Sequence, residues 1–239
     1  MSSRLLTCLF AATALLSVAC DDSTGLDDSE AANVRVVHAS VAGATPASAV
    51  DVAVNGQIAT NNAGIGFGAT SECVRVDADS PDLEVRVAGT TTMIAAPTAF
   101  TAGGRNTVIL SGSPASIRVT TLDDPATPAL QSGRARVRVF NGTTRTTPLD
   151  VTVTPFSATT GVTQAGIAQG SATTWYDIPA GAASIRLRNQ GAASTAPDVA
   201  QLNIGLSGGQ EVMWIVLDPE TSTGPLRWVF TTPCAPADD

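Results

Sequence analysis

The residues that could act as nucleophiles, acids or bases are few. The chain has one histidine, His38, so a Ser-His-Asp or Cys-His catalytic site would have to be built on it. Ser40 and Asp51 follow at a spacing that is not diagnostic of such a site. His38 ends a predicted strand and opens a turn, where hydrogen bonding of the ring to loop backbone is the simpler role. The sequence therefore predicts that the protein is not an enzyme.

Two aspartates at matching places, Asp51 and Asp150, are a second candidate for chemistry. The paired carboxylates of a glycosidase must face each other at a set distance within one cleft. Asp51 and Asp150 lie instead in two similar but separate stretches of the chain. We expect them on the solvent side of their strands, paired with Arg35 and Arg138.

Metal binding would need a cluster of suitable ligands. One histidine and widely separated cysteines do not supply a zinc site. Asp77, Asp79 and Asp82 place carboxylate oxygens, which calcium prefers, within one loop. The EF-hand spacing is absent, however, and Asp-rich turns are common without a metal. The sequence therefore predicts no cofactor and no metal, with these three aspartates as the calcium alternative.

Exposed aromatic rings could bind sugars by stacking. The tryptophans and the single tyrosine lie in the C-terminal half of the chain. Trp214 lies in a near-continuous apolar run and is expected in the core, as is Trp228. Trp175 and Tyr176 are adjacent, so in a strand their side chains face opposite ways and one of them is expected outside. This pair is the candidate ligand-binding site.

The N-terminus has the form of an export signal. Arg4 precedes an apolar run, small residues follow, and Asp21 comes directly after Cys20. The run is about the length of a signal-peptide core and is too short for a transmembrane span of ~20 residues. The pattern predicts a signal peptide over residues 1–19.

The segment around the predicted cleavage point resembles the lipobox of bacterial lipoproteins. It reads LSVAC over residues 16–20, and Ser17 departs from the aliphatic residue that is usual at its position. The resemblance implies a lipid on Cys20, whose acyl chains would anchor the protein to a membrane. The alternative is an ordinary secretory signal that is cut near Ala19.

Two further cysteines, Cys73 and Cys234, lie in the predicted mature chain. An exported protein works in a compartment that permits disulfides, and an even pair there favours one bridge. Such a bridge would tie the C-terminal end to the first half of the chain. Two unpaired thiols remain the alternative, because the sequence does not place the two Cα atoms within ~7 Å.

The charge of the chain is uneven. The net charge is −8, and much of it lies at the two ends. Residues 21–32 are acidic and rich in small side chains, which is typical of a disordered tether, and the chain ends in two aspartates. Because there is no basic stripe, nucleic acid is excluded as a partner.

From residue 33 onward, short segments alternate apolar with polar residues. This pattern is typical of strands with one buried and one solvated face. The clearest segments are 34–37, 50–54, 83–87, 117–119, 135–139, 149–153 and 185–188. Asn55 and Gly56 follow one of them and predict a hairpin turn, because both residues tolerate a positive φ.

An internal repeat with an offset of roughly one hundred residues governs this region. Matching pairs are 34–37 with 137–140, 50–54 with 149–153, 64–65 with 166–167, and 117–119 with 226–228. Each copy holds about seven predicted strands, the size of a small β-sandwich. The predicted fold is therefore all-β, with two tandem antiparallel sandwiches of immunoglobulin-like or transthyretin-like type. The predicted boundaries are a tether over 20–32, sandwiches over 33–124 and 134–233, a linker over 125–133 and a tail over 234–239.

Several motifs resemble the DUF4397 family. They are VRVVHAS at 34–40, AVDVAVNGQ at 49–57 and GIGFG at 64–68 in the first copy, and DIPAG at 177–181 in the second. The resemblance covers roughly residues 33–232. It implies two tandem copies of a β-sandwich domain of envelope proteins, and it implies no activity, because the family has none established.

Together these features predict a non-enzymatic, lipid-anchored protein of the bacterial cell envelope. Its location would be the periplasmic face of a membrane or the cell surface. We expect it to act as a structural, adhesive or protein-binding module, with an envelope protein or a glycan as partner. The alternative is a surface carbohydrate-binding protein that uses Trp175 and Tyr176.

Overall fold

A computed structural model describes residues 30–40, 49–113, 116–124, 130–145, 147–193, 195–219 and 224–235. Within these residues the regular structure is β-strand, apart from one 3₁₀ turn over Thr60–Asn62, so the predicted all-β class is confirmed. The strands of the first half are β1 (Ala31–His38), β2 (Val50–Val54), β3 (Gln57–Ile58), β4 (Val74–Asp77), β5 (Leu83–Val87), β6 (Met93–Ala95), β7 (Arg105–Ser113) and β8 (Ser116–Asp123). Those of the second half are β9 (Arg134–Asn141), β10 (Leu149–Pro155), β11 (Val162–Ile167), β12 (Tyr176–Pro179), β13 (Gly181–Asn189), β14 (Ala200–Leu206), β15 (Glu211–Leu217) and β16 (Arg227–Thr231).

The two halves have the same sheet topology. The first half has an inner sheet with the order β4-β1-β7-β8 and an outer sheet with the order β3-β2-β5-β6. The second half repeats both orders, as β12-β9-β15-β16 and β11-β10-β13-β14. Each half is therefore a sandwich of two sheets, with eight described strands where the sequence predicts about seven.

Each inner sheet contains one parallel strand pair. β1 runs parallel to β7, and β9 runs parallel to β15, whereas the other pairs are antiparallel. The predicted antiparallel sandwich type is confirmed, and the structure adds one parallel pair in each inner sheet. The reason is topological: between β1 and β7 the chain builds β2 and β3 of the outer sheet, β4 of the inner sheet, and β5 and β6 of the outer sheet, and this crossover brings β7 beside β1 in the same direction.

The inner strands are buried on both faces. Val36 packs in the core between the inner and outer sheets of the first half, whereas its neighbour Val37 belongs to a different cluster. In the second half Val139 and Phe140 divide in the same way. Because successive residues of a strand point to opposite faces, two buried neighbours mean that each inner sheet is covered on both sides.

The two inner sheets pack against each other. Val37 and Ile109 of the first sandwich form one buried cluster with Phe140, Met213 and Ile215 of the second, and all five are completely inaccessible to solvent. The molecule therefore has four layers in the order outer, inner, inner, outer. We call the contact between the two inner sheets the central interface.

The ends of the chain depart slightly from the predicted boundaries. Ala31 and Ala32 are buried and pair with Asp77 and Val76 of β4. The predicted tether is therefore wrong at its last two residues, because their backbone groups are taken up by the sheet. The signal peptide, Cys20 and residues 21–29 lie outside the described residues, as do 125–129 of the predicted linker and 236–239 of the predicted tail.

The predicted hairpin turn is confirmed. Asn55 and Gly56 have φ values of 51° and 70°, and they join β2 to β3, which pair antiparallel. Two successive residues in the left-handed region are what a tight hairpin needs, because such turns match the twist of the strands.

In the described part of the chain, no helix is long and apolar enough to cross a membrane.

Candidate functional site

The predicted aromatic pair is covered by the protein itself. Tyr176 is buried, with 3% of its surface exposed, and its hydroxyl donates a hydrogen bond of 2.8 Å to the Val151 carbonyl oxygen. Burial raises the pKa of the Tyr176 hydroxyl. Trp175 is half-buried against the central interface, and the guanidinium carbon of Arg138 lies 5.8 Å from its ring centroid. The pair does not offer the open ring face that a sugar-stacking site requires.

The three aspartates of the calcium alternative do not converge. One carboxylate oxygen of Asp77 accepts hydrogen bonds of 2.9 Å from the backbone N–H groups of Asp79 and Ser80. Asp77 therefore stabilises its own turn. Across the described ranges, no group of three or more His, Cys, Asp or Glu side chains is placed to hold a metal ion.

Asp51 and Asp150 have a structural role that the sequence did not indicate. The carboxylate of Asp51, only 5% exposed, accepts hydrogen bonds from the backbone N–H groups of Gly64 at 2.7 Å and Gly89 at 2.8 Å. Both glycines have a positive φ, at 63° and 71°. One carboxylate thus holds two loops in a backbone conformation that glycine adopts without strain.

Asp150 repeats this arrangement in the second sandwich. It accepts from the N–H groups of Gly166 at 2.9 Å and Gly191 at 3.2 Å, and both of these glycines also have a positive φ. Both aspartates lie on the face of their strands away from the core, as expected, but the expected pairing with Arg35 and Arg138 is wrong. The loop amides are closer partners, and they use both oxygens of each carboxylate.

His38 is a buried residue of the first sandwich. Its side chain is 3% exposed and its ring lies edge-on to Phe67, with 6.2 Å between the ring centroids. Burial lowers the pKa of His38, and a hydrogen bond with the Gly66 backbone opposes that shift. Ser40, the nearby hydroxyl, donates to the Gly112 carbonyl oxygen at 3.1 Å. These contacts tie loops to β1, in line with the structural role expected for the ring.

The predicted disulfide is present. Cys73 and Cys234 are bonded, with their Cα atoms 5.8 Å apart and a sequence separation of 161. Beside the bridge, the Ala235 carbonyl oxygen accepts a hydrogen bond of 3.4 Å from the Asn33 side chain. The segment after β16 therefore crosses to the first sandwich and is covalently held there.

Ion pairs also cross the central interface. Glu211 of the second sandwich accepts from Arg105 of the first at 2.8 Å and from its own sheet neighbour Arg136 at 3.1 Å. Asp124, at the end of the first sandwich, is completely buried and lies 3.2 Å from the guanidinium of Arg138. Burial raises the pKa of Asp124, while a hydrogen bond from Thr107 and the charge of Arg138 act in the opposite direction.

The internal repeat relates Arg138 to Arg35. Each guanidinium donates to a backbone carbonyl oxygen of the other sandwich. Arg138 donates to Asp123, the last residue of β8, and Arg35 donates to Thr232, which directly follows β16. The two environments differ in charge. Arg138 has the carboxylate of Asp124 beside it, whereas no described carboxylate pairs with Arg35, whose Nε is buried without a hydrogen-bond partner. Burial lowers the pKa of Arg35.

An open groove of about 640 Å³ lies beside Arg35, and we call it the β16 groove. It is lined by Arg35, by residues 68–70 of the first sandwich and by residues 227–232 of the second. Arg227 contributes a second guanidinium, which stacks over the Phe67 ring at 4.0 Å. Phe230 is 60% exposed, and its ring centroid lies 5.3 Å from that of Trp214.

Sequence reasoning missed this groove because it placed Trp228 in the core. Trp228 is half-buried: it packs against the core of the second sandwich and also lines the groove, since β16 is the last strand of its sheet. Trp214 is likewise half-buried rather than enclosed. The alternation of Arg227, Trp228, Val229 and Phe230 was the available signal, because an edge strand shows both of its faces at the edge.

Comparisons with known proteins give one family and a distant structural likeness. No curated protein matches the chain. A leucine-rich repeat protein from Bacteroides thetaiotaomicron has 12% sequence identity over 80% of this chain, with a TM-score of 0.21, and this chain spans 26% of that protein. The family described as "Domain of unknown function (DUF4397)" matches residues 32–152, which run from β1 through the first sandwich into β10. The chain belongs to the DUF4397 family.

Proposed function

We propose that this protein is a non-enzymatic, lipid-anchored module of the bacterial cell envelope that binds a protein partner through a rigid body of two tandem DUF4397-type sandwiches. The observation that carries the proposal is the buried central interface together with the Cys73–Cys234 bridge. A covalent bond and a shared apolar cluster fix both sandwiches in one orientation. Binding surfaces on such a body lose little conformational freedom when a partner docks.

The tandem arrangement is supported by features that recur at equivalent places. Both halves have the same strand orders, and each has an aspartate that binds two glycine amides. In both halves a hydroxyl oxygen accepts a hydrogen bond from a backbone N–H in the middle of the first strand. Ser71 accepts from Val36 of β1, and Thr173 accepts from Val139 of β9. Recurrence of the fold, of the aspartate–glycine contacts and of the hydroxyl contact is what duplication of one domain would leave.

The proposal of a non-catalytic role is supported by the contacts of the polar residues. His38, Ser40 and Asp51 are each engaged by loop backbone, and they serve the packing of the first sandwich. The carbohydrate-binding alternative depends on an open ring at Trp175 or Tyr176. Tyr176 is buried and Trp175 is half-buried, so we propose a protein-binding role rather than a carbohydrate-binding one.

The anchor is proposed from the sequence around Cys20. The described body starts at Glu30, so a short acidic segment separates it from the cysteine. Two or more acyl chains on one residue are enough for stable membrane attachment. A short tether would keep the two sandwiches close to the membrane that carries them.

Fractionation of cells that express the full chain tests this proposal. The wild type should incorporate a palmitate analogue and sediment with membranes, whereas Cys20→Ala should lose the label and become soluble. Cys8→Ala is the matched control, because Cys8 lies within the predicted signal peptide and should change neither result. A Cys20→Ala protein that remains labelled and membrane-bound would overturn the anchor.

A further inference from the structure

The β16 strand is an unpaired edge in the described part of the molecule. It is last in the order β12-β9-β15-β16 and pairs along its whole length with β15 alone. In an antiparallel strand, alternate residues direct their backbone N–H and C=O groups away from the neighbouring strand. β16 therefore presents hydrogen-bonding groups to the groove, which is the template that an added strand uses.

The two faces of this edge differ in chemistry. Arg227 shares a face with Val229, which is part of the central interface, so this face looks toward the first sandwich. Arg35 alternates with Val36 and points from the first sandwich into the same gap. Both guanidiniums therefore lie on one side of the edge.

The opposite face of β16 is aromatic. Trp228 and Phe230 are two positions apart, so their side chains lie on the same face of the strand. Trp214 stands behind them, edge-on to Trp228 with 6.4 Å between ring centroids. The lining of the groove contains no acidic residue among those described.

We propose that the free edge of β16 binds an extended peptide strand whose side chains alternate between acidic and apolar residues. This rests on the proposed protein-binding role and names the partner's chemistry. A strand added to β16 has the same period of two, so its acidic side chains meet Arg35 and Arg227 while its apolar ones meet Trp228 and Phe230. An acidic side chain of the bound strand then pairs with Arg35, as Asp124 pairs with Arg138 in the second sandwich.

The equivalent edge of the first sandwich lacks these features. Arg118 of β8 donates to the carbonyl oxygen of Gln169 at 3.3 Å, and Thr120 donates to that of Gly170 at 3.4 Å. Val119 and Thr121 stand where Trp228 and Phe230 stand in β16. The β8 edge is thus an internal control on the same molecule.

Titration of the full-length protein with a synthetic peptide tests the proposal. The probe is a capped seven-residue peptide of alternating valine and glutamate, and tryptophan fluorescence reports binding beside Trp228 and Trp214. We expect saturable binding that weakens as salt rises, because charge pairs are screened. Hydrogen exchange should slow in residues 227–231 and stay unchanged in residues 116–123.

Two control peptides and two pairs of variants sharpen the test. A peptide with lysine in place of glutamate and one with a central proline should bind at least fivefold more weakly. Arg227→Gln and Phe230→Ala should each weaken binding at least fivefold, whereas Arg118→Gln and Phe156→Ala, which change the counterpart arginine and an equally exposed ring elsewhere, should not. Circular dichroism confirms that each variant is folded.

The inference is overturned if folded wild type does not bind the peptide, or if the control variants weaken binding as much as the groove variants. Tighter binding of an oligogalacturonate with the same dependence on Arg227 and Phe230 would also overturn it, by making the groove a site for acidic sugars. Cleavage of the peptide, detected by mass spectrometry, would instead contradict the non-enzymatic role itself. The two proposals can therefore fail separately.

Discussion

Arg35 and Arg138 occupy equivalent positions in the two sandwiches, and only Arg138 lies against a carboxylate, that of Asp124 at 3.2 Å. At that end of the central interface the charge is neutralised and Trp175 covers the guanidinium. At the other end a disulfide holds the chain, and Arg35 faces an open groove. The contact made by these two equivalent arginines is therefore closed off at one end of the central interface and accessible at the other.

Loss of the disulfide should destabilise the protein without unfolding it. Cys73→Ser, Cys234→Ser or the double variant should each lower the free energy of unfolding by about 2–5 kcal/mol, because the bridge closes a long loop of the unfolded chain. Denaturant titration measures the change. The double variant should be insensitive to a reducing agent that lowers the midpoint of the wild type, and equal midpoints for wild type and double variant would count against the bridge.

The buried Asp124 should give stability a particular dependence on pH. Its pKa is raised by burial, so the native state keeps a proton over a pH range in which the unfolded state has lost it. The free energy of unfolding should therefore fall as pH rises from the ordinary aspartate pKa of about 3.9 through the raised native value. In Asp124→Asn this fall should be absent.

Asp198 is the matched comparison for Asp124, because its pKa is shifted in the opposite direction. Hydrogen bonds from Arg186 and Arg188 lower its pKa, so its contribution to stability is present above the ordinary aspartate pKa and is lost as pH falls through the native value. Asp198→Asn should remove that gain, so that this group no longer makes the free energy of unfolding rise between the lowered native pKa and the ordinary aspartate pKa of about 3.9. Parallel pH profiles for Asp124→Asn and the wild type would refute the assignment.

The carboxylates of Asp51 and Asp150 each bind two glycine amides, an arrangement that we call an aspartate clamp. The two clamps should contribute equally to the free energy of unfolding. Asp51→Ala and Asp150→Ala each leave two glycine amides without their charged acceptor, and each should cost about 2–4 kcal/mol of unfolding free energy. Asp79→Ala is the control, because Asp79 is exposed and should change stability by no more than about 0.5 kcal/mol. Thermal unfolding of the three variants measures this, and equal losses for Asp51→Ala and Asp79→Ala would contradict the clamp.

The central interface should tolerate truncation poorly. Phe140 is fully buried between the inner sheets, so Phe140→Ala removes apolar contact and leaves a cavity at a cost of about 3–5 kcal/mol. Phe156→Ala removes the same atoms from a ring that is 61% exposed, and its effect should stay within about 0.5 kcal/mol. A Phe140→Ala protein as stable as Phe156→Ala would mean that the inner sheets do not pack in solution.

The sequence is most informative where structure is local. Alternation over residues 50–54 and 149–153 predicts β2 and β10, because the period of two belongs to each strand by itself. The Asn55-Gly56 turn follows from backbone preference alone. The Cys73–Cys234 pair follows from an even number of cysteines in a mature chain that the sequence predicts to be exported, although its geometry depends on the whole fold.

Features that depend on long-range packing were not predicted. The exposure of Trp175 is set by Arg138 and the central interface, neither of which is a sequence neighbour. The four-layer stacking has a signal, since Val36 and Val37 are both apolar in one strand, but adjacent apolar residues alone do not identify the partner sheet. The alternation in β16 signals an edge strand, but the β16 groove also depends on how residues of the first sandwich lie beside that strand, which is a long-range feature.

The two sandwiches should unfold together as one body, and a denaturant titration tests this. All three tryptophans lie in the second sandwich, so their fluorescence reports its unfolding, whereas far-ultraviolet circular dichroism reports both sandwiches. In a denaturant titration of the full-length protein, we expect the two signals to change in a single transition with the same midpoint. Two separate transitions, with fluorescence and circular dichroism changing at different denaturant concentrations, would contradict the claim.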